Sequence, residues 1–316
     1  MKILVTGGAG FIGKHLVRSL IHQGYEILVI DRKPADHFFS TTEFATAGVQ
    51  YLSYDIRNKA CDSAILNFAP ETVYHLAADI LDRASELDPI STADQNILGT
   101  LRIFEAAKHA GAKTLVFASS SAVYGSSHTL PYQETHLPNP LTPYGITKLC
   151  GEFFLNRYRR FGITTHALRF ANVYGPGQDA SAESGAVAIF THLLLNNQPV
   201  LIYNDGLTTR DYVYVKDIVA GLIKASAHRE SGVWNLGTGI ETTTIDLFQQ
   251  LRSLTQSAID PTFSPSIMDA VKRSCLDSHS ATTAFAWAPT TSLETGLTAT
   301  IDWYRQNPKN PSSFQA

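Results

Sequence analysis

Cysteine is scarce in this chain: Cys61, Cys150 and Cys275 are the only three, and no two form a CxxC pair. An odd, scattered set makes no disulfide framework and no paired-cysteine metal site, so reduced thiols and a cytoplasmic setting are expected. No HExxH motif or clustered His/Cys pattern occurs, and no metal is expected. Apolar runs never reach the roughly 18 residues that a membrane span requires. The opening stretch MKILVTGGAG lacks the long apolar segment and cleavage site of a signal peptide, so no leader is expected. Charge of one sign is also missing. The chain has 25 Lys and Arg against 28 Asp and Glu, a formal net charge of −3 with no basic tract. Nucleic acid and anionic membrane are therefore not expected as partners. Internal repeats and low-complexity tracts are absent too.

What remains is an ordinary globular composition, 44% hydrophobic and 17% charged over 316 residues. That length can bury a large core and form two lobes around a cleft. Short apolar runs at residues 2–6, 26–31, 49–54, 72–76, 114–118 and 165–170 read as strands. Helical patterns at 11–23, 92–109 and 144–161 lie between them. Strand–helix alternation predicts an α/β, doubly wound parallel sheet of the Rossmann kind. Residues 172–209 and 237–289 break the alternation and read as loop-rich. The expected division is a dinucleotide-binding domain over 1–171 plus about 210–237, and a smaller discontinuous substrate lobe over about 172–209 plus 238–316. The last residues, 307–316, read as a frayed tail.

The first strand runs into Thr6-Gly7-Gly8-Ala9-Gly10-Phe11-Ile12-Gly13. Gly8, Gly10 and Gly13 satisfy GxGxxG, and Gly7, Gly10 and Gly13 satisfy GxxGxxG. Such a turn lets backbone amides approach a pyrophosphate, and the following helix, beginning at Phe11 and Ile12, adds its positive end. A lone GxGxxG is weak, but this one sits at the first strand–helix junction, the context that gives it meaning. Asp31 follows at the end of the second strand, where a carboxylate accepts ribose hydroxyls and repels a 2′-phosphate. NAD is favoured over NADP on that ground; Arg32, a further candidate contact to the cofactor, is the opposing signal, because a neighbouring Arg can accommodate that phosphate.

Tyr144-Gly-Ile-Thr-Lys148 places a phenol and an ammonium on one helical face. An ordinary tyrosine is a poor base at neutral pH, and a cation one turn away lowers its pKa. Upstream, VFASSSAVYG sends Ser119, Ser120 and Ser121 out of a strand end. Alone, YxxxK is an ordinary helix face, and serines at a strand end are ordinary turn chemistry. His75 and His166 lie in or beside apolar strands and read as satisfied core histidines. The stretch 234–239, WNLGTG, reads as a strand and turn rather than a second glycine loop.

Together these motifs resemble the extended short-chain dehydrogenase/reductase family, of the nucleotide-sugar epimerase and dehydratase type. The resemblance also rests on Asp55-Ile56-Arg57, His75-Leu76-Ala77-Ala78, Ser85, Pro89, Asn96-Ile97-Leu98-Gly99-Thr100, Arg169-Phe170-Ala171-Asn172-Val173-Tyr174-Gly175-Pro176 and Arg210-Asp211-Tyr212-Val213. It spans nearly the whole chain. It implies that Asp55 and Ile56 hold adenine, and that Leu76, Ala77 and Ala78 line the pyrophosphate and ribose of NAD. It implies Tyr144 as catalytic base, Lys148 as its partner, and Ser120 as the catalytic hydroxyl with Ser121 beside it. Asn172 would hold the diphosphate of a nucleotide sugar, and Arg210 would reach the nucleotide's phosphate or ribose. Arg suits phosphate through its planar fork.

Dehydratases and decarboxylases of this type carry an acid directly after the catalytic hydroxyl. Ser121 and Ala122 stand there, which favours a 4-epimerase working through a 4-keto sugar. The alternatives are a ketoreductase or a 4,6-dehydratase of the same family, or an NAD-binding protein without catalysis. The chain departs from the family in two places. Ile267, in Ile267-Met268-Asp269-Ala270, replaces a phosphate-clamping Arg, with Lys272 or Arg273 as substitutes, and Ile80 replaces a lysine found in some hexose epimerases. A homodimer is expected through a four-helix interface, with Ile97, Leu101, Phe104, Leu149, Phe153 and Phe154 as candidate contacts, some of which must face the sheet.

Overall fold

The computed structural model describes residues 1–38, 48–80, 82–126, 129–180, 185–265 and 271–308. Seven strands form one parallel sheet: β1 (Lys2–Thr6), β2 (Glu26–Asp31), β3 (Gln50–Ser53), β4 (Thr72–His75), β5 (Thr114–Ser120), β6 (Thr164–Phe170) and β11 (Gly232–Leu236). Their order is β3-β2-β1-β4-β5-β6-β11. The chain therefore builds outward from β1 to β3, then crosses back to β4 on β1's other side. The crevice at that reversal, beyond the carboxyl end of β1, is where ligands bind such sheets.

Helices cover both faces, so the strands read as continuous apolar runs. Ile3 and Val5 point into one core with Leu16, Val17 and Leu20 of α1 (Phe11–Ile21) and with Ile218 and Leu222 of α6 (Val215–Ala227). Leu4, between them, points into the other. There it meets Ile65 of α2 (Ala60–Phe68), Ile103 and Phe104 of α3 (Gly99–His109), and Leu155 of α4 (Pro143–Tyr158). The two-residue strand period thus distributes one strand between two cores. Helix α1 is only 11 residues long, too short to persist alone. Burial of Leu16, Val17 and Leu20, worth about 1.5–3 kcal/mol each, holds it. Gly24, at φ +74°, then turns the chain into β2.

A third core gathers Tyr174 of β7 (Asn172–Tyr174), Phe190 of α5 (Ala186–Leu195), Ile202 of β8 (Val200–Tyr203) and Tyr212 of β10 (Tyr212–Tyr214). Phe248 of α7 (Thr244–Thr255) and Ile301 of α8 (Leu293–Gln306) complete it. The two stretches expected to be loop-rich therefore contain regular helices. In α5 the sequence AVAIFTHLLL is apolar on nearly every side and carries no stripe to betray its period. Helix α7 did carry a signal. Thr243 accepts from the Asp246 amide at 3.0 Å while its hydroxyl donates to the Asp246 carboxylate at 2.6 Å, a reciprocal cap.

Further differences concern the 92–109 helix and the proposed contacts on it. It is broken into Pro89–Ala93, a π-helical turn at Asp94–Leu98, and α3. Phe104 is fully buried in the second core, and Leu149 packs against the first, so both face the sheet rather than a partner. The 234–239 stretch supplies the end of edge strand β11 and its turn, as expected. Ile267, Met268, Asp269, Ala270 and most of the expected frayed tail lie outside the described residues. Among the described residues no helix is long and apolar enough to cross a membrane.

Candidate functional site

The glycine turn occupies the crevice at the carboxyl end of β1. Gly7 adopts φ +72°, and a Cβ there would lie 2.7 Å from the Ala77 amide nitrogen. At Gly13 a Cβ would lie 2.2 Å from the Gly7 carbonyl oxygen, so the helix can start this close only with glycine. Around Gly10 the surroundings are open: the Gly7 carbonyl oxygen, at 3.1 Å, is all a Cβ would meet. No side chain caps α1, whose first-turn amides thus face outward for an anion. The half-buried side chains of Phe11 and Ile12 pack against the third core. This cradle fits a dinucleotide pyrophosphate.

Asp31 is 7% exposed and organises the turn from the end of β2. Its carboxylate accepts from the Ala9 amide at 2.9 Å and the Lys33 amide at 3.0 Å. Each oxygen retains a second lone pair for a ribose hydroxyl. Arg32 is bound at 2.9 Å to Asp79, on the segment after β4. Asp55 is gripped by Arg57, with Nε and Nη2 at 2.9 and 2.8 Å, and these hydrogen bonds hold its carboxyl below the ordinary value. The Ile56 side chain is buried against Gly99. Leu76 and Ala77 continue from β4 on the other side of the turn, their amides anchored on Thr6. Ala78 follows them.

His75 bridges two hydroxyls, Thr6 Oγ1 at 2.7 Å and Thr100 Oγ1 at 2.9 Å, and burial pushes its pKa down to about 3. It is a neutral core histidine. His166 is another: Trp234 Nε1 lies 3.3 Å from its Nδ1, and its Nε2 lies 3.1 Å from the His228 carbonyl oxygen.

Beyond the turn, β5 ends at Ser120, whose hydroxyl oxygen accepts from the Ala122 amide at 3.1 Å. Ser121 opens the 3₁₀ turn that follows. Helix α4 starts with Thr142 capping the Gly145 amide at 3.1 Å. A Cβ on Gly145 would lie 2.8 Å from the Ala122 carbonyl oxygen, so glycine here allows the helix start that carries Tyr144 to touch the serine turn. Asn96, in the π-turn, ties the neighbourhood together. Its side chain accepts from the Asp79 amide and donates to the Asp79 carbonyl, both at 2.8 Å, and donates to Thr147 Oγ1 at 3.1 Å. Asn96 lay within a quoted motif, but nothing local in the sequence signalled this clamp.

Lys148 is 3% exposed; its ammonium donates to the Ala118 carbonyl at 2.8 Å and lies 5.7 Å from the Tyr144 ring centre. Burial lowers its pKa to about 7. The folded protein therefore holds fewer protons than the unfolded chain between about pH 7 and the ordinary lysine value of 10.5. Stability from this group rises with pH across that window. In nucleotide-free protein, Lys148→Met should be more stable than wild type at pH 7, with the margin shrinking towards pH 10. Denaturant melts of both proteins across the window check this, and a pH-independent margin would overturn it.

Past the end of β6, Asn172 donates its backbone amide to the Asp211 carbonyl at 2.9 Å and pairs in register with Tyr212. Arg210 lies just before Asp211, its guanidinium donating to the Thr209 carbonyl at 2.7 Å. Arg273, one of two substitutes for the missing clamp, is held through Nε and Nη2 by Glu241. Lys272 is exposed, and its carbonyl accepts from the Thr209 amide at 2.9 Å, which brings it beside Arg210.

The sequence reading missed a buried network behind the serines. Ser119 donates to Glu152 at 2.5 Å, and Glu152 binds Arg169 through two hydrogen bonds of 2.9 and 2.7 Å. Arg169 lies 4.7 Å from the centre of the Tyr124 ring.

Comparison with known proteins agrees with this arrangement. The model of the NAD dependent epimerase/dehydratase family matches residues 3–237. UDP-glucose 4-epimerase of Mycolicibacterium smegmatis is 35% identical over 311 residues, covering 96% of this chain and 99% of that protein. The crystal structure of Thermotoga maritima UDP-glucose 4-epimerase with UDP-glucose superposes with a TM-score of 0.92 at 37% identity, covering 98% and 100% of the two chains. That of the Thermus thermophilus enzyme complexed with NAD gives a TM-score of 0.89 at 34% identity, covering 96% and 99%. The chain belongs to the NAD-dependent epimerase/dehydratase family, and its cofactor is NAD.

Proposed function

We propose that this chain is a nucleotide-sugar 4-epimerase acting through a transient 4-keto sugar. The observation that carries this reading is the composition of the serine turn beside Tyr144 and Lys148. Ser120, Ser121 and Ala122 offer hydroxyls and no acid. Glu152, two turns beyond Tyr144 on the same helix, is committed to Arg169 and Ser119. Elimination and decarboxylation thus have no acid at the position where relatives place one. Proton abstraction and hydride return need none.

In this reading the glycine turn, Asp31, Asp55, Ile56 and the 76–78 segment hold NAD. Bound there, NAD supplies the acceptor, and then the donor, of the sugar's hydride. Tyr144 takes the proton of the 4-hydroxyl as the carbon is oxidised, and returns it after the keto sugar has turned over. Lys148 holds the phenolate by charge and reaches the cofactor ribose. Ser120, with Ser121 beside it, hydrogen-bonds the reacting oxygen. Asn172 receives the diphosphate and Arg210 the nucleotide's phosphate or ribose, with the exposed Lys272, whose backbone pairs with Thr209, as a further cation. The substrate lobe comprises about 172–209 and 238–316. The test is incubation of the protein and NAD with UDP-, dTDP-, GDP- and CDP-sugars, with products read by NMR. A C4 epimer formed without net cofactor consumption is expected. A dehydrated, decarboxylated or net reduced product would overturn the reading.

The same reading includes a homodimer. Phe153 is 69% and Ile90 81% exposed, and Leu98 and Ile146 are also exposed, all on α4 and the broken helix beside it. Ile97, Leu101 and Phe154 are half-buried around them. Phe153→Asp should raise the dimer dissociation constant by roughly 30-fold or more, as loss of an anchoring aromatic does. Sedimentation equilibrium checks this. A wild-type monomer at micromolar concentration, or an unaffected variant dimer, would refute it.

A further inference from the structure

The arginine beside the ribose acid is already occupied. Strand order β2-β1-β4 puts the glycine turn between Arg32, just past the end of β2, and Asp79, on the segment after β4. Their 2.9 Å ion pair therefore crosses the crevice above the carboxyl end of β1. Asp79 is not a loosely placed surface acid. Both its amide and its carbonyl are bound by the side chain of Asn96, itself 2% exposed and tied to Thr147 on α4. Among the described residues a second guanidinium of this region, Arg57, is neutralised in the same manner by Asp55 and Asp94.

A 2′-phosphate needs a cation at the end of β2, and an arginine near the ribose acid is the residue that supplies it. Arg32 stands at that place, so Asp31 alone does not account for a preference for NAD. We propose that Asp79 is a specificity-determining residue: it holds Arg32 away from the adenosine 2′ position and adds a negative charge that a 2′-phosphate must approach. Cofactor choice then rests on two carboxylates from opposite sides of β1. Asp31 accepts the ribose hydroxyls, and Asp79 occupies the cation that would otherwise reward their phosphorylation.

This inference rests on Asp31 marking the adenosine ribose, and its test keeps the two apart. NAD and NADP are titrated by calorimetry into nucleotide-stripped full-length wild type, Asp79→Asn, and Asp79→Asn combined with Arg32→Ala. Asn preserves the side chain's shape, and the Asn96 clamp uses only the backbone of residue 79. The ratio of the NADP to the NAD dissociation constant should fall about tenfold in Asp79→Asn, the effect of one hydrogen bond to a charged group. NAD affinity should change less than about twofold, because no direct contact to it is lost. Removing Arg32 as well should abolish the gain. A wild type that binds both nucleotides alike overturns the Asp31 assignment. A wild-type preference for NAD that Asp79→Asn leaves unchanged, or a gain that persists without Arg32, overturns the role of Asp79.

Discussion

Tyr144→Phe should fold normally, bind nucleotide sugar nearly as wild type does, and turn it over about 10²–10⁴-fold more slowly, the span expected for loss of a general base. The substitution keeps the ring and removes one hydroxyl oxygen. The backbone anchors of the helix start survive it: the Thr142 cap on Gly145, the Ser85 hydroxyl near the Tyr144 amide, and Thr147 bonded to the Tyr144 carbonyl. What is lost, on the proposed mechanism, is the proton acceptor. Lys148 cannot replace it without moving, because its ammonium is bound to the Ala118 carbonyl beneath the helix. Ser120→Ala should cost less, since Ser121 is adjacent in the same turn. The measurement is kcat and KM of each folded variant on the sugar nucleotide that wild type epimerises. A KM effect without a kcat effect would assign Tyr144 to binding, and near wild-type turnover would mean that another group takes the proton.

The legible parts of this molecule are local in sequence. β1 and β2 were readable to the residue, because a buried parallel strand is a continuous apolar run, and here a glycine turn ends one and an acid the other. The placement of Tyr144 and Lys148 on one face follows from helical spacing alone. The illegible parts depend on partners far along the chain. Arg32 reads as a neighbour of the ribose acid, and nothing near it announces Asp79. Arg273 reads as a phosphate ligand until Glu241 is seen holding it. The π-turn at Asp94–Leu98 was missed because its apolar pattern resembles an α-helix. The altered turn puts Asn96 where its amide can grip residue 79, and π-turns are found often at functional sites. Phe104 and Leu149 stand among six candidate contacts of which some must face the sheet, because an apolar residue on an amphipathic helix does not declare which of two surfaces it covers. Only the assembled sheet decides that.

Glu152→Gln should destabilise the protein by about 3–5 kcal/mol, the cost of leaving one member of a buried ion pair without its partner. The side chains of Glu152 and Arg169 are 5% and 4% exposed. Burial alone would lower the Arg169 pKa, but the hydrogen bonds and charge of Glu152 reverse this and raise it, so the guanidinium stays charged at any accessible pH. In the Gln variant that charge remains buried. A neutral amide can still accept from it but brings no charge, and the Tyr124 ring, 4.7 Å from the guanidinium, compensates only in part. An apparent Tm lower by roughly 5–8 °C follows from the size scaling of thermal unfolding. The double variant Glu152→Gln, Arg169→Met separates charge from packing. It removes the stranded cation while keeping a long side chain against Tyr124, and replacing both members of a buried pair is often close to neutral. It should therefore recover most of the loss, giving a coupling energy of at least about 1–2 kcal/mol in the double-mutant cycle. Additive losses would mean that the two residues stabilise the fold through separate contacts. Glu152 would then be retained for Ser119, whose hydroxyl it accepts one residue before Ser120.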